Sequence, residues 1–274
     1  MAIFESNDRT MLLGFDDHAE PRWQMVPLSG FRDVRLSPVA GCTVFNMNPE
    51  LADIEDKSLS SSSSVCRIRG KNAGSGTLLA VHAQGSSTLE YTVMHKKKIK
   101  VYFHFVHDSA GHRPSRPPAD VKMLLDGANF ILGHQANIWL EFTGVNPYLY
   151  VNRDLGAKVC MLNSVDSIYK PLDTRDALKP YDVPGAFNVF LVWSAALGLL
   201  QCFSVPGAGA IRAGTATECV LGDTARADTL AHEVGHWLGL EHDDYHGDAL
   251  MAPGTVRSGT KMTKLGSIKA NHKI

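Results

Sequence analysis

The chain has 274 residues, of which 44% are apolar and 20% charged, values typical of a folded protein with a substantial core. Its formal net charge of −1 gives no overall attraction to nucleic acid or to an anionic membrane, so we expect neither as a partner. No run approaches the roughly 20 apolar residues that a membrane-spanning helix needs. The length suits two domains of about 100 to 200 residues each.

The first residues, MAIFESNDRTMLLG, contain neither a basic start nor an apolar run long enough for a cleavable secretory signal. We therefore expect a protein that either stays in the cytosol or is exported by a route that reads no such signal. Five cysteines are too few and too scattered for a disulfide scaffold. Cys42 with Cys66, and Cys202 with Cys219, could each pair within one predicted domain, and buried reduced thiols are an equal alternative.

The first third of the chain is rich in short runs of β-branched and aromatic residues, which is the composition of strands. Turn-type sequences, among them the serine run Ser60 to Ser64, separate four such runs: CTVFNM, VCRIRG, GTLLAVHAQ and LEYTVM. Their spacing predicts a small all-β sandwich. The order PELADIED, CRIRGKNAGSGTLLAVHAQG, LEYTVM also resembles bacterial immunoglobulin-like (Ig-like) domains, over about residues 30 to 95. We expect this domain to serve in targeting, delivery or docking.

The pattern changes after HKKKIK (His95 to Lys100), which is typical of a solvated linker that enters an edge strand. We therefore divide the chain into an Ig-like domain, 1–96, and a second domain, 97–274. In the second domain IKVYFHFVH predicts a strand, ADVKMLLDGANFILGH a helix and ANIWLEFTG another strand. This order is the unit of a largely parallel sheet, and the apolar run Phe187 to Trp193 suits a central strand buried on both faces. The second domain is thus predicted to be α/β.

Residues Thr224 to Leu240 are predicted to form an amphipathic helix with Asp223 as its N-cap. The apolar stripe of this helix consists of Ala227, Leu230, Ala231, Val234 and Leu238. His232 and His236 are four residues apart, so they share another face. Gly239 then permits the left-handed backbone that ends a helix, and the resulting turn can bring His242 back toward the first two histidines.

Three imidazoles leave one position of a tetrahedral Zn²⁺ open, as a catalytic site requires, whereas a structural site is normally closed by a fourth protein ligand. Glu233 lies about 100° round the helix from His232, still on the side away from the core. It is placed to take a proton from water that the zinc activates and to pass that proton to a leaving amine. The spacing therefore predicts a zinc site with His232, His236 and His242 as ligands and Glu233 as the general base.

The stretch HEVGHWLGLEH, followed by ALMAP, resembles the signature of the metzincin metallopeptidases, H-E-x-x-H-x-x-G-x-x-H with a methionine-containing turn downstream. Gly239 takes the glycine position of the signature, and Met251 lies in the sequence that matches the turn. The resemblance extends from about residue 99 to the end. It implies a metzincin fold, a zinc endopeptidase activity on protein or peptide substrates, and a methionine thioether beneath the metal that does not ligate it.

Asp243, directly after the third histidine, makes the motif most similar to the adamalysin/reprolysin type, in which this aspartate is structural and tethers the lower subdomain. Those enzymes usually carry a cysteine shortly before the turn, where this chain has Ala249 and Leu250. They are also rich in disulfides and are made with a signal and an inhibitory propeptide. The subfamily therefore stays open, while the resemblance to metzincins as a whole covers both parts of the signature.

We expect the substrate to lie extended along a predicted edge strand, Gly207 to Gly214, and to pair with it as an added strand. Two alternatives stay open. In one, the protein is a non-catalytic binding or structural protein in which zinc only holds the second domain together. In the other, the peptidase is an exported bacterial effector or toxin, with a secretion apparatus or an inhibitor as partner.

Other histidines and one tyrosine are candidates for additional roles. His104, His107 and His112 could suggest a second metal site, but the first two are three apart in a predicted strand and so face opposite sides. Exposed or hydrogen-bonded histidines are the simpler expectation for all three. Tyr245 and His246 follow the motif closely and could line the cleft, with Tyr245 as a candidate for stabilising the oxyanion.

Overall fold

Strands dominate the chain before residue 97, and the helices come after it. The computed structural model describes residues 3–8, 13–37, 42–59, 64–83, 85–142, 148–156, 159–160, 177–196, 210–211, 218–242, 247–252 and 258–274. Within these ranges the α-helices are α1 (Pro118–Ala136), α2 (Ala227–Trp237) and α3 (Lys264–Lys273), with a short 3-10 helix at Lys179–Tyr181. None of the described helices combines the length and apolar character needed to cross a membrane.

A first unit comprises Met1–Lys97, Ile131–Ile138 and Ser258–Ile274. Its strands are β1 (Ile3–Ser6), β2 (Phe15–Asp16), β3 (Arg22–Pro27), β4 (Phe31–Ser37), β5 (Thr43–Asn46), β6 (Ala52–Leu59), β7 (Ser64–Gly70), β8 (Gly74–His82) and β9 (Gly85–Met94). They form one sheet in the order β1-β4-β7-β6 and another in the order β2-β3-β9-β8-β5. The strands pair antiparallel except for β3 and β9, which are parallel.

The two sheets of the first unit share one apolar core. Strands β4 and β7 point Val34 and Ile68 into it, and strands β8 and β9 point Leu78 and Tyr91 into it from the other sheet. Side chains of a strand alternate between its faces, which explains why these buried residues recur at every second position. The predicted β-rich character of the first third is therefore confirmed. Cys42 carries a free thiol whose pKa is raised by burial, so the suggested disulfide to Cys66 is not formed.

The segment 258–274 folds with these strands, although it is last in the sequence. Asn271 donates hydrogen bonds from Nδ2 to the backbone oxygens of His95 (3.0 Å) and Ala136 (2.7 Å). The backbone N–H of Lys264 donates to Asp16 Oδ2 at 2.7 Å, and its ammonium pairs with Glu90. The boundary at residue 96, between the predicted domains 1–96 and 97–274, stays a prediction. The compact units, in contrast, take both 131–138 and 258–274 into the first unit.

A second unit comprises Lys98–Phe130 and Trp139–Arg257. Its strands are β10 (Lys97–His107), β11 (Ile138–Phe142), β12 (Tyr148–Asn152), β13 (Val159–Cys160), β14 (Phe187–Leu191), β15 (Ala195–Ala196), β16 (Ala210–Ile211) and β17 (Glu218–Leu221). The main sheet has the order β11-β10-β14-β17-β16, and β12 also pairs with β10. Strands β13 and β15 form a separate parallel pair.

The main sheet of the second unit is mostly parallel. Strand β10 is parallel to β12 and β14, and β14 is parallel to β17, while the edge strand β16 is antiparallel to β17. Strand β14 lies between two neighbours and all five of its residues are buried, as its continuous apolar sequence predicts. Helix α1 also forms where predicted, and its expected apolar positions are all buried: Val121, Leu124, Leu125, Ala128, Ile131 and Leu132. The α/β character of this region is confirmed.

Candidate metal centre

The helix that carries the histidine motif, α2, is shorter than the sequence predicts. It spans Ala227–Trp237 and not 224–240, and Arg226 before it has an extended backbone. The expectation that Asp223 is the N-cap is wrong, because the Asp223 carboxylate accepts hydrogen bonds from the backbone N–H of Ser115 at 3.0 Å. At the true start, Thr229 Oγ1 accepts a hydrogen bond from the backbone N–H of Arg226 at 3.3 Å. Hydrogen bonding at the helix start therefore involves Thr229, and Asp223 is committed elsewhere.

Helix α2 is buried on more than its apolar stripe. Leu230, Ala231, Val234 and Leu238 are buried as predicted, and Ala227 at the first position is half-buried. The face that carries the motif is buried too, since His232 and Glu233 are each only 5% exposed. Glu233 was expected on a side of the helix away from the core. Its carboxylate instead lies in a largely water-excluded position, where electrostatic interactions are stronger than in bulk water.

Gly239 ends the helix in the predicted way. Its φ is +84°, a left-handed conformation that costs glycine little. Its N–H donates to the His236 carbonyl at 2.9 Å, and the Leu240 N–H donates to the Gly235 carbonyl at 3.0 Å. These two bonds are the pair that closes a helix end when the chain reverses direction. The reversal returns the chain toward the helix, and His242 follows two residues later.

The three histidines of the motif come together as predicted. One ring nitrogen from each of His232, His236 and His242 lies within 4.8 Å of the others, and Nε2 of His236 is 3.2 Å from Nε2 of His242. His232 is buried, His236 half-buried and His242 exposed. The cluster therefore runs from the protein interior to the surface, and solvent or a ligand can reach it from the side of His242.

Two backbone carbonyls fix the orientation of two of these rings. His232 Nδ1 lies 2.7 Å from the Leu250 oxygen, and His236 Nδ1 lies 2.9 Å from the Leu240 oxygen. A carbonyl oxygen can only accept a hydrogen bond, so each Nδ1 must carry the proton. In a neutral imidazole the other nitrogen, Nε2, then holds a lone pair that can bind a metal. Neither carbonyl could be predicted from the sequence, because a backbone oxygen has no residue signature.

The spacing of the nitrogens suits a metal ion. Two nitrogens bound to one tetrahedral zinc, each at about 2.0 to 2.1 Å, lie about 3.3 Å from one another. The separation of 3.2 Å between Nε2 of His236 and Nε2 of His242 is close to this value. When no metal is bound, the same distance suits a hydrogen bond from His242 Nε2 to the lone pair of His236 Nε2. The donor set and its tautomers therefore fit a metal ion.

Glu233 lies beside the histidines without belonging to the group that could hold the ion. Its Oε1 is 4.0 Å from His232 Nε2, too far for a hydrogen bond but close enough for strong electrostatic influence in a buried position. Among the described residues, the metal-ligating group contains the three histidines alone. The carboxylate is thus placed to interact with a molecule bound at the centre.

Met251 packs against the motif helix. A Cβ atom added to Gly235 would lie 2.5 Å from Met251 Sδ, so the thioether occupies the space that the glycine leaves open. The turn that contains Met251 is closed by a hydrogen bond from the Ala252 N–H to the Ala249 carbonyl at 3.1 Å. The turn therefore supports the centre twice, through the sulfur at Gly235 and through the Leu250 carbonyl at His232.

Several of the candidate residues named above lie outside the described residues. These are Asp243, Tyr245 and His246, together with the greater part of the predicted edge strand Gly207 to Gly214. Of that strand, Ala210 and Ile211 are described, and they form the edge strand β16.

Of the three histidines considered for a second metal site, His104 and His112 are hydrogen-bonded through their rings. His104 is buried in the sheet, donates from Nε2 to Asn188 Oδ1 at 2.9 Å, and stacks on Phe190. Burial lowers the pKa of His104, and the hydrogen bond to Asn188 only partly opposes this shift. His112 Nδ1 donates to Asp108 Oδ2 at 2.6 Å, and hydrogen bonds from His112 outweigh burial and lower the pKa of Asp108. In the described part of the chain these histidines form no second metal-ligating group.

No known protein-family model matches this sequence, and no curated protein is significantly similar to it. Any functional conclusion must therefore come from the centre itself. What the structure defines is a three-histidine cluster able to hold a metal ion, on a helix that ends at a left-handed glycine and is supported by a methionine-containing turn.

Proposed function

We propose that this chain is a zinc-dependent endopeptidase of the metzincin type that hydrolyses peptide bonds of protein substrates. The observation that carries the proposal is the convergence of His232, His236 and His242 beside the buried carboxylate of Glu233. Three histidine ligands leave one position of a tetrahedral ion open to water or substrate, whereas structural zinc sites normally have four protein ligands. The buried acid next to that position supports catalysis over a purely structural ion.

Zinc is the proposed metal because three neutral imidazoles are a known ligand set of catalytic zinc, and the Nδ1 hydrogen bonds hold His232 and His236 in the tautomer that a metal requires. When bound, zinc supplies Lewis acidity: it lowers the pKa of water and polarises a carbonyl group. The protein fixes the direction of the ligand nitrogens through the Leu250 and Leu240 carbonyls. A ring fixed in this way loses little rotational freedom when the metal binds.

Glu233 performs the proton transfers of the proposed reaction. Its carboxylate takes one proton from the attacking water, whose oxygen forms a bond to the carbonyl carbon of the substrate. The same proton then passes to the amine nitrogen as the carbon–nitrogen bond breaks, which releases the two peptide products. Because Glu233 is 5% exposed, bulk water does not compete strongly for this proton.

The metzincin fold of the second unit and the Ig-like fold of the first unit belong to the same proposal. The mostly parallel sheet, the antiparallel edge strand β16, the motif helix α2 and the turn at Met251 occur in the order that the resemblance implies. The paired sheets of the first unit and their common core support the Ig-like assignment.

The test combines metal analysis with a peptidase assay. We expect one zinc per chain and cleavage of casein that a chelator abolishes and added zinc restores. Glu233→Gln should keep the zinc and lose about 10²- to 10⁴-fold in kcat/KM, because only the proton transfer is removed. His236→Ala should lose the metal together with the activity. As a matched control, Glu50→Gln changes an exposed carboxylate of the first unit and should behave as wild type.

Each of three results would overturn the proposal. Full activity of Glu233→Gln would show that Glu233 is not the general base. Cleavage that persists in metal-free protein would show that the reaction needs no metal. If zinc binds but no protein or peptide substrate is cleaved, the ion is structural and the protein is not a peptidase.

A further inference from the structure

Strand β5 is the last strand of its sheet, and part of its backbone faces away from that sheet. Within the described residues it pairs with β8 alone. The N–H of Met47, directly after the strand, donates to the Thr77 carbonyl of β8 at 3.0 Å. Backbone groups alternate in direction along an antiparallel strand, so Val44 and Asn46 direct their N–H and C=O groups away from β8. A further strand can therefore pair with this edge.

The outer face of the sheet at β5 is apolar and exposed. Phe45 is 49% exposed and Met47 58%, and Val81 on the neighbouring strand β8 is 40% exposed. Val44, which lies between Phe45 and Thr43 in the sequence, packs on the core from the opposite face. The monomer thus leaves three large apolar side chains in water at the end of a sheet, and a strand added to β5 would partly cover them.

A strand at the end of the other sheet of the first unit is protected against such pairing. Strand β6, ADIEDKSL, has four charged side chains in eight residues, and its pairing with β7 shifts register between Asp56 and Ser58. Charged side chains and bulges are the devices by which proteins prevent edge-to-edge association. Residues 42–48, CTVFNMN, contain no charged side chain and no proline, and β5 pairs with β8 in unbroken register. This contrast indicates that β5 is an edge that pairs with another strand.

We propose that two copies of this chain form a dimer through β5, with the two strands antiparallel about a twofold axis at Phe45. A twofold axis perpendicular to the sheet makes two identical edge strands antiparallel, and each copy contributes the same surface. In this register Val44 of one copy lies opposite Asn46 of the other, and the two residues exchange both N–H···O bonds. The two Phe45 side chains then lie directly opposite each other on the outer face, and Thr43 lies opposite Met47.

Charge favours a second copy as the occupant of this edge. Because 42–48 is uncharged, two copies meet there without like-charge repulsion. On the adjacent strand β6, Asp53 pairs with Lys71 at 3.0 Å and Glu55 pairs with Arg69 at 3.1 Å, so these carboxylates are already compensated within one copy. A charged strand from another protein would lose hydration against the apolar face without gaining an ion pair.

The exposed area determines how strong the dimer is. Phe45, Met47 and Val81 together expose on the order of 300 Å² in each copy, whereas a standard stable interface buries about 800 Å² per partner. We therefore expect a reversible dimer that dissociates on dilution in the micromolar range, and not a permanent one.

The experiment measures the molecular mass of the intact protein by sedimentation equilibrium at increasing concentration. Wild type should change from monomer to dimer. Phe45→Lys and Phe45→Glu each place like charges opposite one another at the axis, so either variant alone should dimerise at least about tenfold more weakly. An equal mixture of the two should dimerise again, because lysine then faces glutamate. Leu265→Lys, at an exposed apolar position of α3, is the matched control and should behave as wild type.

Cysteine cross-linking tests the register. Directly opposite residues of an antiparallel pair have Cβ atoms about 4.5 to 5.5 Å apart, so on oxidation Phe45→Cys should form a disulfide between copies with little movement. Thr43 lies two residues from the axis in each copy, which separates the two Thr43 positions by about 13 Å. Thr43→Cys should therefore form no more covalent dimer than wild type, whose own five cysteines set the background.

Three results would overturn this inference. A wild-type protein that is monomeric at every concentration would leave the edge to a strand of a different protein. A dimer that neither charged variant weakens would form through another surface. Charged variants that remain monomeric when mixed would show that the two Phe45 positions do not face each other. None of these measurements depends on zinc or on cleavage, so their failure leaves the proposed peptidase function untouched.

Discussion

The contact between Gly235 and Met251 yields a sharp prediction, because one methyl group is enough to perturb it. In Gly235→Ala the new Cβ would lie 2.5 Å from Met251 Sδ and 3.3 Å from Met251 Cε. Comfortable contacts between such atoms are about 3.5 to 4.0 Å, so the sulfur must move by about 1 Å. Met251 is only 7% exposed and follows a fully buried Leu250, so it cannot simply swing into solvent.

Two opposing effects set the size of the change. Replacing glycine by alanine within a helix favours folding by about 1 kcal/mol, and overpacking a buried contact costs about 1 to 3 kcal/mol. We therefore expect Gly235→Ala to lower the free energy of unfolding by up to about 2 kcal/mol. In a Met251→Ala background the sulfur is gone, and the same substitution should stabilise the protein by about 1 kcal/mol.

The assay is urea unfolding of the four proteins of this double-mutant cycle, all without metal so that zinc binding does not contribute to stability. The decisive result is the change of sign of the Gly235→Ala effect between the two backgrounds. Equal effects in both would show that Met251 does not pack on Gly235, and the reasoning about the turn would be refuted. The zinc dissociation rate should rise in Gly235→Ala, because the shifted turn also carries the Leu250 carbonyl.

Two further predictions concern groups outside the centre. Asn271→Ala should reduce the free energy of unfolding by about 1 to 3 kcal/mol in urea unfolding, because the carbonyls of His95 and Ala136 lose the hydrogen bonds that Asn271 donates. Lys273→Ala, at an exposed position of the same helix, should have no effect. An effect of Asn271→Ala no larger than that of the control would contradict this. Burial holds the pKa of His104 below its usual value, so the unfolded chain takes up a proton first and stability should fall as the pH drops below about 6.5. His104→Gln keeps a donor for Asn188 and should reduce this pH dependence, measured from urea midpoints between pH 5 and 8. Identical slopes for His104→Gln and wild type would count against the argument.

Features that depend on a regular spacing of residues along the chain were predictable from the sequence. The apolar stripe of α2, the continuous apolar strand β14 and the glycine that reverses the chain at residue 239 each depend on local geometry, which is why they are legible in the sequence. The gathering of the three histidines followed from the same geometry. The zinc, the fold family and the activity implied by the resemblance stay predictions.

Features that depend on distant partners could not be read from the sequence. Asp223 precedes the motif helix and is a good N-cap residue, but Ser115, more than a hundred residues earlier, engages its carboxylate. Helix α3 has no clear apolar stripe, and it is held in the first unit both by Ile268, which packs on a buried apolar cluster, and by the hydrogen bonds of Asn271. Strands β1 and β4 were missed because their sequences, IFES and FRDVRLS, mix charged residues with few strong strand formers.

The discontinuity of the first unit has a consequence for synthesis on the ribosome. The contacts of Lys264 and Asn271 cannot form until the chain has been made almost to residue 274, so the strands before residue 97 emerge without their final partners. At about 5 to 20 residues per second, translation of 98–257 takes on the order of ten to thirty seconds. The strands before residue 97 spend this interval without the segment 258–274 that completes their unit.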